Sequence, residues 1–328
     1  MHTAYTYSAS RVRTLEEYLL TRTDIDRLLV AKPGADLASA LKETYLAPYL
    51  LRVGEERLSD AIELTLVDAK RLIHRIAPQG DMFRVLWVQY DVHNLRVFAR
   101  ALSTGTSFTD CESYCSTRGI YEPSYLFAHA EQGTLDRLQP GWHAAFEAAL
   151  RHANAGELDR VDGVLDGELF ASLARIARAG GDAFLSGHVA AVIDLYNCRA
   201  RLRVLTNPAV ASAPGFVEGG SFSAARLDTR EQVAAALAQL RDEEFWKDAF
   251  AHYDETGHTT RLDARFDEYL TARAAEASVD VFSSASLVRY YLLCRQAAAN
   301  VRTIVVGRNS GMSDADIRAN LRLTYVHA

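Results

Sequence analysis

Two pairs of aspartates have the spacing that acid–base chemistry could use. Asp162 and Asp166 lie four residues apart in VDGVLDGELF, and LDARFDEYLT places Asp263 and Asp267 at the same spacing. Residues at i and i+4 share one face of a helix, so each pair could supply a general acid and a general base. Because the pair recurs at matching places in two similar segments, we favour the interpretation that it makes helix-surface contacts or contacts between helices.

A metal site has a single candidate motif. Glu255 and His258 form Glu-x-x-His in a turn-like segment, whereas a di-iron bundle takes two such motifs on facing helices. The chain contains no phosphate loop, GxGxxG, HExxH or GxSxG motif. We therefore predict no metal, no cofactor and no catalytic residue. A metal-dependent helical-bundle enzyme would depend on Glu255 and His258.

Other reactive or bulky side chains are predicted to pack rather than react. The four cysteines show neither a disulfide pattern nor a zinc pattern, and Cys198 and Cys294 lie within apolar helical stripes. His93 is predicted to be a local packing or polar partner rather than a general base. Three further residues are predicted to belong to the core: Trp87, Trp142 and Trp246.

A short polar motif, Asn-x-Arg, recurs at a constant interval of 103 residues. Its three occurrences are Asn94 and Arg96, Asn197 and Arg199, and Asn300 and Arg302. The apolar residues around the motif keep their helical phase from one occurrence to the next, although the tripeptide alone is a weak signal. The constant interval, the apolar stripe and the aspartate pairs together indicate three related helical repeats of about 100 residues.

Each asparagine of the motif is predicted to bond across to a neighbouring helix, since a half-buried amide needs partners. Each arginine could serve either ion pairs between repeats or an outside partner. One hypothesis is that Arg96, Arg199 and Arg302 hold the three repeats together.

The elements that carry these residues are predicted to be helices throughout, because most windows show the 3.6-residue period and alternating β-branched runs are missing. The predicted helices cover about 8–20, 55–76, 81–103, 136–152, 157–178, 182–206, 230–250, 260–276, 281–306 and 313–325. The predicted fold is all-α, with three similar domains at 1–117, 118–220 and 221–328 in a pseudo-threefold arrangement.

Charge and hydropathy argue against two further classes of function, nucleic-acid binding and spanning a membrane. A net charge of −6 argues against nucleic-acid binding, which needs a basic face. No apolar run approaches the length of about 20 residues that crosses a bilayer. We expect a soluble, cytoplasmic protein that contacts a membrane only through a partner.

The motif segments resemble the C subunit of the A-type and bacterial V-type rotary ATPases, called the d subunit in the eukaryotic vacuolar enzymes. YDVHNLRVFARAL resembles the family's Asp-x-x-Asn-Leu segment, and VIDLYNCRARLR resembles its Asp-x-x-Asn-x-Arg segment. FVEGGSFS is similar to the Phe-x-x-Gly-Gly segment, and residues 287–326 resemble the family's ending. The resemblance covers residues 5–326. In the last long helix the family usually has acidic residues before the Asn, where this chain has Gln296, Ala297 and Ala298.

The resemblance implies a funnel-shaped, non-catalytic subunit that lies peripheral to the membrane at the cytoplasmic face of the proteolipid ring. Its implied partners are that ring and the central-shaft subunits, between which it would pass torque for proton or sodium transport. The alternative is an unrelated triplicated helical scaffold or adaptor protein.

Overall fold

The computed structural model describes residues 4–207 and 215–322. Within these ranges the regular secondary structure is helical throughout, which confirms the all-α prediction. In chain order the first helices are α1 (Thr6–Glu16), α2 (Arg22–Val30), α3 (Ala35–Leu41), α4 (Ala47–Val53) and α5 (Leu58–Ile76). They are followed by α6 (Val88–Ser103), α7 (Phe108–Cys111), α8 (Pro123–Glu131), α9 (Trp142–Asn154), α10 (Leu158–Gly180), α11 (Ala183–Thr206) and α12 (Arg230–Leu240). The last are α13 (Glu243–Thr256), α14 (Thr260–Ala277), α15 (Ala285–Asn309) and α16 (Asp314–Ala319).

The chain divides into two compact units. The middle unit runs from Asp81 to Glu243. The terminal unit combines the residues up to Gly80 with those from Glu244 onward. The predicted boundaries after residues 117 and 220, and the predicted funnel, remain predictions.

Local sequence signals define several helix ends. A capping box formed by Thr21 and Asp24 begins α2, and a second one formed by Thr229 and Gln232 begins α12. In each box the side chains satisfy main-chain N–H groups that the first turn leaves without a partner. Gly181, with φ of +64°, ends α10 in the left-handed conformation.

The core of the middle unit forms around α6, which packs against α8, α9 and α10. The apolar stripe predicted for this helix faces inward, and Val88, Val92 and Leu95 are fully buried. Phe98 on α6 meets Phe127 on α8 edge to face, with ring centroids 5.0 Å apart. This packing fixes the polar residues that α6 carries on the same turns.

The core of the terminal unit forms around α15, which packs against α1, α5 and α14. This helix is buried on most of its circumference, as the full burial of Leu287, Tyr291 and Val301 illustrates. The early and late parts of the chain therefore share one core.

The predicted core residues are confirmed. Trp142 and Trp246 are at most 1% exposed, and Trp87 is also buried. The Cys198 and Cys294 thiols are free and buried.

Several short elements differ from the prediction. Helices α2, α3, α4 and α8 were not predicted, because each has seven to nine residues and so presents little more than two turns of periodicity. The helix predicted over 230–250 is two helices, α12 and α13, separated at Arg241 and Asp242. Residues Gly80–Leu86 form a 3-10 helix rather than the start of α6. The last helix ends at Ala319, and the final part of its predicted range, 323–325, lies outside the described residues.

Candidate functional site

The first repeated asparagine pairs with main chain. Asn94 is fully buried in the middle of α6. Its Nδ2 donates to the carbonyl oxygen of Ser116 at 2.9 Å, and the Ser116 N–H donates to Asn94 Oδ1 at 2.8 Å. The side-chain amide thus exchanges with the main chain of Ser116 the same pair of hydrogen bonds, one donated and one accepted, that a residue of an adjacent β-strand would exchange.

The other two asparagines repeat this geometry. Asn197 on α11 exchanges the same two bonds with Val217, at 2.8 and 2.9 Å. Asn300 on α15 exchanges them with Arg322, both at 2.8 Å. The expectation of a bond to a neighbouring helix was therefore wrong. The amides bind non-helical segments, whose N–H and C=O groups, unlike those inside a helix, are free to pair.

Buried aspartates one turn earlier extend the first two contacts. Asp91 accepts the N–H groups of Ile120, at 2.7 Å, and Tyr121, at 3.1 Å. Asp194 Oδ1 accepts those of Ser221, at 2.7 Å, and Phe222, at 3.1 Å. We call Asp91 with Asn94, on segment 116–121, the first clamp; the second clamp is Asp194 with Asn197, on segment 217–222.

The third repeat has only half of this arrangement in its sequence. Ala297 stands where Asp91 and Asp194 stand in the other repeats, so Asn300 has no aspartate one turn before it. The preceding Gln296 instead donates to the main-chain oxygen of Asp267 at 3.1 Å and to Thr271 Oγ1 at 2.8 Å. Gln296 therefore binds the third motif helix to α14 through neutral groups.

Each clamp needs a glycine. A Cβ added to Gly119 would lie 2.2 Å from Asp91 Oδ1, and one added to Gly220 would lie 2.2 Å from Asp194 Oδ1. The absence of a side chain lets the main chain approach the carboxylate closely enough to donate to it. This contact gives Gly220, in the GlyGly pair of FVEGGSFS, a structural role.

The arginine of the first motif joins α6 to α10. Arg96 forms an ion pair with Asp166 and lies 3.6 Å from Asp162, which also binds Arg100 at 3.0 Å. Arg96 and Asp166 are about one-fifth exposed, whereas Arg100 and Asp162 are about half exposed. The interpretation of Asp162 and Asp166 as contacts between helices is confirmed.

Asp166 also receives a bond from the second motif helix. The hydroxyl of Tyr196 on α11 donates to Asp166 Oδ2 at 3.1 Å. Burial raises the pKa of Asp166, and Arg96 and the Tyr196 bond oppose that rise. One carboxylate on α10 therefore connects α6 and α11.

The second aspartate pair makes structural contacts in the terminal unit. Asp267 on α14 binds Arg322 Nε at 3.0 Å and lies 3.9 Å from Arg295 on α15. Asp263 accepts a bond from Thr259 at 3.3 Å. These contacts confirm the structural interpretation of this pair.

The three motif arginines have different surroundings. Arg96 is held by two aspartates, as described above, and the Arg199 guanidinium lies 5.8 Å from the Tyr196 ring centroid. Arg302 is exposed on α15, and no described residue forms a hydrogen bond or ion pair with its side chain. The repeat in sequence therefore does not give the three arginines one common role.

The remaining candidate reactive groups are not assembled into a site. Glu255 and His258 are exposed near the end of α13, and in the described ranges no three His, Cys, Asp or Glu side chains gather as metal ligands. His93 Nε2 donates to the main-chain carbonyl oxygen of Tyr114 at 3.0 Å, which confirms a local polar role. Burial raises the pKa of Cys198 and of Cys294 to about 12, so both thiols are protonated at neutral pH.

Sequence reasoning missed Asp91, Asp194 and their glycines as parts of one arrangement. Their signal was present, because an aspartate three residues before an asparagine shares its helical face. The clamps have a mechanical role: each fixes a connecting segment onto a helix through four hydrogen bonds to two buried side chains.

Comparison with known proteins matches these segments to one family. A model of the ATP synthase (C/AC39) subunit family matches residues 8–320. The C subunit of the A-type ATP synthase of Thermococcus kodakarensis is 24% identical over 291 residues, which cover 84% of this chain and 78% of that protein. The corresponding C subunit of the A-type ATP synthase of Pyrococcus horikoshii is 24% identical over 319 residues, or 90% of this chain and 84% of the relative.

Proposed function

Because the chain belongs to the ATP synthase (C/AC39) subunit family, we propose that it is a central-stalk subunit of a rotary ATPase. In this role it links the central shaft to the membrane proteolipid ring and transmits torque between them. It is a structural subunit of the complex and has no catalytic role of its own.

The observation that carries the proposal is the recurring attachment of connecting segments to long helices. An element that transmits torque must not yield where helices are joined, and loops are ordinarily the most deformable parts of a protein. Here the three motif asparagines bind main chain in the same way, and two buried aspartates add to this hold. This supports a stiff adaptor.

The proposed partners are the central-shaft subunits and the proteolipid ring. No helix in the described part of the chain is long and apolar enough to span a bilayer. We propose that the protein contacts the membrane only through the ring, on its cytoplasmic side. Family membership argues against the alternative of an unrelated scaffold.

The proposal is tested with membranes from cells that lack this chain. We expect ATP hydrolysis by the catalytic head to persist while ATP-driven ion transport is lost, because the mechanical link is missing. Adding the purified protein should restore transport. Ion transport that is unaffected by removal of the chain would contradict the proposal.

A second measurement identifies the partners. The tagged protein is recovered from gently solubilised membranes of its own cell, and associated chains are identified by mass spectrometry. Co-recovery of shaft and ring subunits is the expected result. Recovery of head subunits alone, without shaft or ring, would contradict the proposed position.

A further inference from the structure

The contact between α6 and α10 shows which kind of side chain an arginine of the motif binds. Arg96 is held there by Asp162 and Asp166, two carboxylates one helical turn apart on α10. The position corresponding to Arg96 in the third repeat is Arg302. As described above, Arg302 is exposed and its side chain makes no hydrogen bond or ion pair with a described residue.

The helix that packs on α15 does not offer the same pair of carboxylates. Helix α5 packs on α15 and corresponds in sequence to α10. At the repeat interval of 103 residues, its counterparts of Asp162 and Asp166 are Ser59 and Glu63. Ser59 has no charge, and the Glu63 carboxylate does not bond to Arg302. The pair of carboxylates that holds Arg96 in the first repeat is thus reduced to one on α5, and that one does not hold Arg302.

The remainder of the chain supplies no alternative side chain. Residues 1–3, 208–214 and 323–328, which lie outside the described ranges, contain neither Asp nor Glu. Every side-chain carboxylate of the protein therefore lies in the described ranges, and none of them bonds to Arg302.

One turn beyond Arg302, the third repeat also differs in polarity. Arg100, which binds Asp162 in the first repeat, corresponds to Val306. The Val306 side chain is 62% exposed although it lies on a helix that is otherwise largely buried. Arg302 and Val306 are four residues apart and so share one face of α15. We call this pair the open face of α15.

We infer that the open face of α15 binds a helix of another subunit of the complex, which presents a carboxylate to Arg302 and an apolar side chain to Val306. The carboxylate of this partner would complement the charge of Arg302, as Asp162 and Asp166 complement the charge of Arg96 in the first repeat. Desolvating an arginine is favourable only when a carboxylate compensates it, and the adjacent apolar contact excludes water from that ion pair. The identity of the partner as a subunit of the rotary ATPase rests on the proposed function.

The test uses the full-length protein and the detergent-solubilised complex from cells that lack it. Binding is titrated for the wild type, Arg302→Glu and Val306→Asp. We expect each variant to bind at least about tenfold more weakly, because one places like charges opposite each other and the other places a charge against an apolar side chain. Arg22→Glu, at an exposed arginine of α2 in the same unit, is the matched control and should bind like the wild type.

Thermal unfolding separates an interface from an internal role. Arg302→Ala should melt within about 1 °C of the wild type, since an exposed side chain without a bonded partner contributes little to stability. Arg96→Ala should melt lower, because it leaves Asp166 without its cation. A lower melting temperature for Arg302→Ala would overturn the inference and restore the hypothesis that all three arginines hold the repeats together.

A photo-crosslinking residue at position 306 identifies the partner. The expected adduct is a helical peptide of a shaft or ring subunit that contains Asp or Glu. Wild-type binding that Arg302→Glu does not weaken, or an adduct to a peptide without an acidic residue, would overturn the inference and leave the proposed function intact. Failure of the wild-type protein to bind the complex would overturn both.

Discussion

Asp194 and Asn197 lie one turn apart on α11, yet together they determine the path of a connecting segment. The three hydrogen-bond donors that they bind from this segment are all main-chain N–H groups, on Val217, Ser221 and Phe222. Main-chain donors can be presented by many sequences, so the specificity of the clamp resides in the helix residues and in one glycine. A substitution at that glycine therefore tests the clamp directly.

Gly220→Ala should lower the free energy of unfolding by about 1–3 kcal/mol. The added methyl group would lie 2.2 Å from Asp194 Oδ1, and the carboxylate is fully buried and cannot turn away without losing its two N–H donors. Chemical denaturation followed by circular dichroism measures the change.

Gly167→Ala on α10 is the control, because no atom other than the neighbouring residues and backbone of its own helix lies within 4 Å of the position of the added carbon. Alanine there should stabilise the protein by up to about 1 kcal/mol through its higher helix propensity. If Gly220→Ala were as stable as the wild type, the close approach of main chain to carboxylate would not be required.

For single residues, the sequence predicted which positions are equivalent in the three repeats but not which residues they contact. The interval of 103 residues indicated that Asn94, Asn197 and Asn300 occupy equivalent places. Helical periodicity predicts the face of the helix on which a side chain lies. It does not predict which connecting segment packs against that face. The partners Ser116, Val217 and Arg322 therefore emerged only from the three-dimensional structure.

At the scale of elements, α1 is attached to α15 through a buried charge. Glu16, whose side chain is 7% exposed, lies 3.2 Å from Arg289, and its Oε1 has no hydrogen-bond partner in the described part of the chain. Burial raises the pKa of Glu16 from 4.5 to about 7, and the opposing effects of Arg289 and Arg13 are smaller. The attachment of α1 is consequently sensitive to pH.

Stability should fall as pH rises from about 4.5 to 7, since the folded protein holds the Glu16 proton more tightly than the unfolded chain does. Glu16→Gln cannot lose this proton. Relative to the wild type, its stability should therefore increase across that window, by on the order of 3 kcal/mol. Melting temperatures measured between pH 5 and pH 8 test this.

Glu17→Gln, at the adjacent exposed position, provides the comparison and should follow the wild type at every pH. A constant difference between Glu16→Gln and the wild type from pH 5 to pH 8 would show that Glu16 does not titrate in this range.

The attachment of α6 to α10 is testable by a double-mutant cycle on Arg96 and Asp166. Arg96→Ala, Asp166→Asn and the double variant should reveal a coupling of about 1–3 kcal/mol, because both side chains are mostly buried. The same cycle on the more exposed pair, Arg100 and Asp162, should give less than about 1 kcal/mol. Equal couplings in thermal or chemical unfolding would contradict the assignment of Arg96 as the main link.

The long helices were predictable and the short ones were not, for one physical reason. Helices α10, α11 and α15 each have more than 20 residues, so their period is evident in sequence. Helices α3 and α4 have seven residues each, which is too short to be stable in isolation, and tertiary contacts determine their conformation.

At the scale of the whole molecule, sequence repetition and compactness divide the chain differently. The repeats indicate three related segments, whereas the compact units are a middle segment and a unit that combines both ends of the chain. A repeat shows which segments are alike and does not state which of them share a core. The packing of α1 and α5 on α15 was therefore not predictable from the interval.

A fragment comprising residues 81–243 should fold on its own, since this unit has its own core around α6 and α10. We expect helical circular dichroism and a cooperative thermal transition. A fragment of residues 1–80 should remain largely unfolded, because α1 and α5 lack α15. A cooperatively folded 1–80 fragment, or an unfolded 81–243 fragment, would show that the core residues are divided differently.

The terminal unit combines the two ends of the chain, and this has a consequence for biosynthesis. Helices α1 and α5 leave the ribosome early, but α15, on which they pack, ends about 230 residues after α5. At synthesis rates of about 5–20 residues per second, this interval lasts on the order of 10–50 s. The middle unit has time to fold during translation, while the apolar faces of α1 and α5 await their partner. The segment that is synthesised first is thus among the last to fold. We expect a chaperone to bind it while its apolar faces are exposed.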